Sequence, residues 1–200
     1  MKRRRLPRSF FARPTLTVAH DLLGMVLVHQ APAGLTSGRI VEVEAYIGED
    51  DPACHAAPGL TTRNAPLYGP PGVAYVYLNY GLHFLMNVVT ERRGFPAAVL
   101  IRALEPLEGF ALMQRRRVAN GAPAHRVTAD TICRGPGNLT VAMGITLAQN
   151  RVDLMGSVLY LEDRGLATTD VSWTPRIGIR VGTAHLWRAI DGASRAHSGR

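Results

Sequence analysis

Residues Arg39 to His55, R-I-V-E-V-E-A-Y-I-G-E-D-D-P-A-C-H, constrain this chain more than any other stretch. Val41, Val43, Ala45 and Ile47 alternate with Ile40, Glu42, Glu44 and Tyr46, the period-two pattern of a strand with unlike faces. One face therefore carries two carboxylates and a tyrosine in file. Strand interiors disfavour Glu, and side chains two residues apart on one face lie roughly 7 Å from each other, so the pair is exposed, partnered or used. Taken alone, the pattern fits a half-solvated strand with its polar residues outward. Gly72 to Asn87 shifts that balance by supplying aromatic and amide groups a carboxylate could work beside.

The flanking segments suggest how that strand is embedded. Thr17 is placed to cap a short helix through Leu23, with Gly24 as its stop, and Met25 to His29 reads as a strand. Ala31 to Gly38 turns the chain into the Arg39 strand as a hairpin. Glu49 to Pro70 is a loop by composition. Its acids Glu49, Asp50 and Asp51 fit solvated loop positions better than a metal site, because alternate-position ligands are lacking. Gly72 to Val89 reads as a second hairpin turned at Gly81, with Val73, Tyr75 and Tyr77 on one face and Ala74, Val76, Leu78 and Tyr80 on the other. Tyr80 falls at its tip, far from any core, where it either folds back or enters between bases.

Ala97 to Ala103 is a further strand, with Ala98, Leu100 and Arg102 on one face and Val99, Ile101 and Ala103 on the other. Arg102 is the odd member of an apolar segment, and Glu44 or Glu42 is its expected partner. Pro106 is expected to open a helix to about Arg117, with Glu105 and Glu108 in its first turn. Gly135, Pro136 and Gly137 lead into a short helix ending near Met143, whose N-terminal amides, with Arg134 alongside, suit a phosphate. Val158 to Leu161 and Ile177 to Val181 read as closing strands, with Arg176 and Arg180 beside the second.

Two hundred residues, 46% of them hydrophobic, suffice for one core, so a single domain over 1–200 is expected, with a loose basic arm at 1–8 and a mobile tail at about 191–200. The formal net charge of +8 points to a polyanionic partner, and Arg supplies all positive charges but Lys2. Arg makes forked contacts to phosphate, which favours nucleic acid over an anionic membrane. No apolar run is long enough to span a bilayer. We expect a cytoplasmic monomer without a membrane partner, cofactor or metal. Cys54 and Cys133 have no zinc spacing, and Cys54 beside His55 reads as a buried thiol rather than a ligand.

A carboxylate on a strand, aromatics, an amide, an interior Arg and a basic surface together suit a site that takes a base out of a duplex and cuts it from its sugar. An extruded base needs flat partners, a tip residue fills the hole, and hydrolysis needs a base to activate water near C1′. With Lys2 the only lysine, water is the expected nucleophile rather than a Schiff-base amine. From about Leu6 to Trp187 the sequence resembles the alkyladenine (3-methyladenine or N-methylpurine) DNA glycosylases. The resemblance is carried by R-I-V-E-V-E-A-Y-I-G at Arg39 to Gly48, His55, T-x-R-N at Thr61 to Asn64, Y-V-Y-L-N-Y-G at Tyr75 to Gly81, Met86-Asn87, L-I-R-A-L-E-P at Leu100 to Pro106, C-R-G-P at Cys133 to Pro136 and R-I-G-I at Arg176 to Ile179.

The resemblance implies a mixed α/β (α+β) domain with a curved, largely antiparallel sheet flanked by helices and a protruding hairpin. It implies Glu44 as the general base, Arg102 as its electrostatic partner, and Tyr46, His55 and Tyr77 as walls of the base pocket. Asn87 would meet the exocyclic amine of guanine, and Tyr80 would be the wedge. Arg63, Asn64, Arg134, Gly135 and Arg176 are the further DNA-binding candidates. Duplex DNA carrying alkylated or deaminated purines is the implied partner. Two departures stand out: His83 occupies a position that is Tyr in eukaryotic members, and the C-terminal W-R-F or L-R-F pattern is Trp187-Arg188-Ala189. A metal-dependent nuclease built on Glu42, Glu44 and Glu49 to Asp51, or a non-catalytic protein whose tyrosines stack bases, are the competing readings.

Overall fold

The strand that holds Glu44 is the spine of the molecule. In the computed structural model, which describes residues 3–199, the elements run β1 (Arg4–Arg5), α1 (Arg8–Phe11), α2 (Thr15–Leu22), β2 (Val26–Ala31) and β3 (Gly34–Ile47). They continue through β4 (Ala74–Asn79), β5 (His83–Val89), β6 (Ala97–Glu108), α3 (Phe110–Ala119), α4 (Pro136–Met143), β7 (Leu159–Asp163), β8 (Val171–Thr174) and β9 (Arg188–Asp191). The strands form one sheet in the order β1-β7-β2-β3-β6-β5-β4, all pairings antiparallel, with β9 paired to β3 and β8. This is the mixed α/β domain the resemblance implies.

β3 changes neighbour along its length. Its first half pairs with β2 through the Pro32-Ala33 turn, and Glu42 to Glu44 pair with β9 on the same edge. The opposite edge is taken by β6 from Ser37 to Ile47. The main core lies between the sheet and the helices, with Phe11, Leu22, Val43, Ile101, Met113 and Leu139 among its fully buried members.

Several local expectations give way to longer-range partners. α2 begins at Thr15, and its first amide is met by the Glu91 carboxylate at 2.6 Å, so Thr17 is an exposed helical residue rather than the cap. Pro106 does not open a helix. β6 continues through it to Glu108, and the Pro falls opposite Gly38 at a register shift, where a missing N–H is tolerated. Gly109, at φ 78°, makes the break instead: a Cβ there would lie 2.3 Å from the Leu35 carbonyl oxygen. Glu105 and Glu108 are consequently strand residues paired with Arg39 and with Arg3 and Arg164.

The closing strands also differ. Leu159–Asp163 is a strand, but residues 177–181 are irregular, and β8 and β9 close the sheet in their place. The termini are docked rather than loose. Arg4 and Arg5 pair with β7 and Leu6 is buried, whereas Met1 and Lys2 of the expected arm lie outside the described residues. Residues 191–198, expected as a mobile tail, pack against the sheet through Asp191, Ser194 and Ala196, all buried; Arg200 lies outside the described residues.

Candidate active site

Strict alternation along β3 would put Val41 with Val43 on the core face. The pairing with β6 does otherwise. Ile40 faces Leu104 and Glu42 faces Ala103, but Val43 faces Ile101, so Val41 on β3 and Arg102 on β6 are each one residue in excess. Bulges of this kind re-aim side chains. Ile40 joins Val43, Ala45, Ile101 and Leu104 in the main core, and Val41 and Ala103 turn to the other face, against Ala196. That corrects both alternations read from the sequence, for Val41 and for Ala103. It also aims Arg102 along the file of Glu42 and Glu44.

The resulting charge cluster is buried and balanced. Arg102 Nε lies 2.8 Å from Glu42 Oε1 and its Nη1 lies 3.1 Å from Glu44 Oε2, so one guanidinium joins both expected partners. Arg188 adds a second positive charge, 3.2 Å from Glu42. Two carboxylates and two guanidiniums therefore share one buried layer, the pairing that a buried charge requires.

Glu44 accepts two hydrogen bonds and faces one guanidinium. The Tyr46 hydroxyl donates to Oε2 at 2.8 Å, the Ile177 amide donates to Oε1 at 2.7 Å, and Arg102 approaches Oε2 from the side. A carboxylate has about four acceptor positions, so these contacts leave room for a further donor. Burial and the Glu44 carboxylate push the Tyr46 hydroxyl well above its ordinary range, which keeps its proton in place for that bond.

A cavity of about 520 Å³ opens over this cluster, within the range of pockets that enclose small ligands. Tyr46, His55, Tyr77, Asn87 and Arg102 all line it, so the structure brings together the residues that sequence placed on four separate segments. His55 and Tyr77 meet edge to face, with centroids 4.4 Å apart. Burial and the nearby Arg63 guanidinium lower the His55 pKa, so the ring is neutral at pH 7. Asn87 donates from Nδ2 to the Tyr75 carbonyl at 3.2 Å and is nearly buried. At the mouth, Tyr80 is 86% exposed in a left-handed turn, φ 49°, beside Gly81. Gly135 and Gly137 form the facing rim, and a Cβ on Gly137 would lie 2.8 Å from the His83 ring.

The remaining candidates divide. Arg63 is exposed, with its guanidinium 5.6 Å from the Tyr77 ring centre. Arg134 directs one guanidinium nitrogen to the Arg195 carbonyl, 2.5 Å away. Asn64 is buried and organises its own loop, accepting from the Thr61 amide and donating to the His55 and Gly59 carbonyls. Arg176 is likewise internal. It forks onto Asp51 at 2.6 and 2.8 Å, donates to the Ala45 carbonyl, and lies between Tyr46 and Trp187, 4.7 and 5.1 Å from their ring centres. Asp51, read from sequence as a solvated loop acid, is thus one half of a buried ion pair; burial opposes its ionisation, but Arg176 and two backbone amides outweigh that and hold its pKa low.

Sequence reasoning missed Tyr75, whose hydroxyl lies 2.9 Å from His55 Nδ1 and orients that ring. Its alternation with Tyr77 was the available signal. The Ile177 amide had none, since any residue but Pro carries one. Cys54 and Cys133 are free, buried thiols, raised by burial to about 11 and about 12.

A buried carboxylate under an aromatic pocket, on a sheet that ends in a protruding hairpin, coincides with a recorded family. The methylpurine-DNA glycosylase profile matches residues 9–194, and the chain belongs to that family, whose members are DNA glycosylases of repair acting on DNA. Among its relatives, a protein of Methanocella arvoryzae is 53% identical over 87% of this chain and 84% of its own length. One of Prosthecochloris aestuarii is 46% identical over 92% of this chain and 86% of its own, and one of Myxococcus xanthus 49% over 87% and 81%. All three are provisionally named 3-methyladenine DNA glycosylase.

Proposed function

We propose that this protein is a monofunctional N-glycosylase of base excision repair that turns a damaged purine out of duplex DNA into the Tyr46–His55–Tyr77 pocket and hydrolyses its N-glycosidic bond. The observation that carries this reading is the Glu44 carboxylate, fixed by Tyr46, Ile177 and Arg102 with acceptor capacity to spare, directly behind Tyr46 and Arg102 of the cavity wall. A water donating to that carboxylate is oriented for C1′. As the C1′–N bond breaks, its electron pair leaves with the base; the water oxygen bonds to C1′ and its proton passes to Glu44. The carboxylate also opposes the positive charge that develops on the sugar.

The pocket favours damaged bases by charge and shape. Alkylated purines are often cationic, and aromatic faces attract cations by roughly 0.5 to 2 kcal/mol. A neutral His55 adds no repelling charge. Asn87, tied to the Tyr75 carbonyl, stands where the exocyclic amine of guanine would intrude. Tyr80, outside the fold and next to Gly81, suits the gap the extruded base leaves. Single-turnover incubation with duplexes carrying 3-methyladenine, 7-methylguanine, hypoxanthine or ethenoadenine tests this directly. Free base and alkali-labile sites should appear at an undiminished rate with a chelator present. Release from none of the four, or strand scission abolished by the chelator, would reject the reading.

A further inference from the structure

The segment that follows β9 reaches the back of the same charge cluster. The match to the family ends at residue 194, so residues 195–198 lie outside the span the family pattern describes. They are nonetheless docked at several points. The Ser194 hydroxyl donates to Glu105 at 2.6 Å, and the Arg195 carbonyl takes a guanidinium nitrogen of Arg134. Ala196 is buried against Val41 and Ala103, residues displaced by the paired irregularity that aims Arg102 at the carboxylates. Ser198 then turns inward. Its amide donates to Glu42 Oε2 at 2.6 Å, its hydroxyl donates to the same oxygen, and its carbonyl receives Arg188 Nη2 at 3.3 Å.

Glu42 is therefore shared between two partners of different origin. Its Oε1 faces Arg102 and Arg188, and its Oε2 accepts the amide and hydroxyl of Ser198. Arg102 is in turn the side chain that reaches Glu44 Oε2. A carboxylate with both oxygens occupied has one orientation, and the guanidinium it holds through Nε inherits it.

We infer that Ser198, carried by a strap of residues 193–198 with Ala196 as its peg, is a positioning residue for excision: it locks Glu42, which holds Arg102 against Glu44. This rests on the function proposed above. Without the strap, Glu42 Oε2 loses both donors and the Arg102 guanidinium gains freedom beside the reacting carboxylate. The aromatic walls of the lesion pocket, Tyr46, His55 and Tyr77, belong to other segments. The expected signature is a slower chemical step with unchanged lesion affinity.

The test compares the full chain with Ser198→Ala, Ser198→Thr, Ser198→Pro and a chain ending at Ser194, on one hypoxanthine duplex. Ser198→Ala removes the hydroxyl donor, Ser198→Pro removes the hydroxyl and the amide donors together, and Ser198→Thr retains both. Single-turnover excision should fall about tenfold or more in the shortened chain and several-fold for Ala and Pro, as expected for charge-assisted bonds, and should recover in Thr. Gel-shift affinity should stay within about twofold for the three point variants, which keep every arginine. Excision by Ala, Pro and the shortened chain at the rate of the full chain overturns the inference, as does a loss shared equally between rate and affinity in the point variants. If the shortened chain does not fold, the three point variants decide alone. Failure of the full chain itself to release hypoxanthine, or any other damaged purine, would instead reject the glycosylase reading, so the two failures are distinct.

Discussion

Glu44→Gln should abolish excision while leaving fold and lesion binding in place. The amide keeps the carboxylate's shape but has one acceptor oxygen and one NH2 group. If the oxygen faces the Ile177 amide, now 2.7 Å from Oε1, the NH2 meets Arg102 Nη1 at the 3.1 Å now spanned by an ion pair, and the Tyr46 hydroxyl reverses to accept. The opposite flip sets two N–H groups against each other at the shorter distance, so the first is preferred. The cluster loses one buried negative charge, about 3 to 5 kcal/mol, and Arg102 keeps Glu42. A typical domain stability of about 5 to 15 kcal/mol absorbs that. The chemical step fares worse, because the amide cannot take the water's proton: loss of a general base costs about 10² to 10⁴ in rate, or roughly 2.7 to 5.4 kcal/mol in the barrier. Single-turnover excision and gel shift on one hypoxanthine duplex measure both quantities. A Gln variant that excises within a few-fold of the parent would refute the assignment of Glu44.

Glu42→Gln should be mainly a stability defect, because Arg188 and Arg102 lose a buried counter-charge; removing one partner of such a cluster costs about 3 to 5 kcal/mol, and a denaturant midpoint shift under 1 kcal/mol would contradict that. Its excision should fall less than that of Glu44→Gln. Tyr80→Ala should leave thermal stability of the free protein unchanged, since the side chain is exposed, yet weaken binding and slow excision on duplex substrate, where filling the stack offsets an unstacking cost of about a few kcal/mol. Equal kinetics of the two proteins on duplex would remove the wedge. His55 should lower stability on the acid side: burial depresses its folded pKa below the unfolded value near 6.5, so the unfolded chain binds the proton first and stability falls as pH drops from about 6.5 through the folded pKa. His55→Gln should flatten that part of the stability profile, measured by denaturation between pH 7 and 5.

Much of the site was legible without coordinates. Alternation marks the strand of Glu44, the Tyr75–Tyr77 pair and the turn at Gly81, because strand periodicity and turn chemistry act over a few residues and are written in those residues. The excess of arginine and the lone Arg102 in an apolar run likewise declare a need for negative partners before any partner is known. What local pattern does not contain is which neighbour a strand meets. The choice between Glu42 and Glu44 turns on that: alternation makes them equivalent, and only pairing with β6 and β9 leaves one beneath the pocket and the other behind it, capped by Ser198. Pro106 reads as a helix start until β3 is set beside it. Asp51 and Arg176, 125 residues apart, read as a loop acid and a DNA contact until burial makes each the other's counter-ion. In every one of these cases the deciding energy is that of a buried charge or an unmade backbone bond, and its size depends on what lies across the sheet rather than on what lies along the chain.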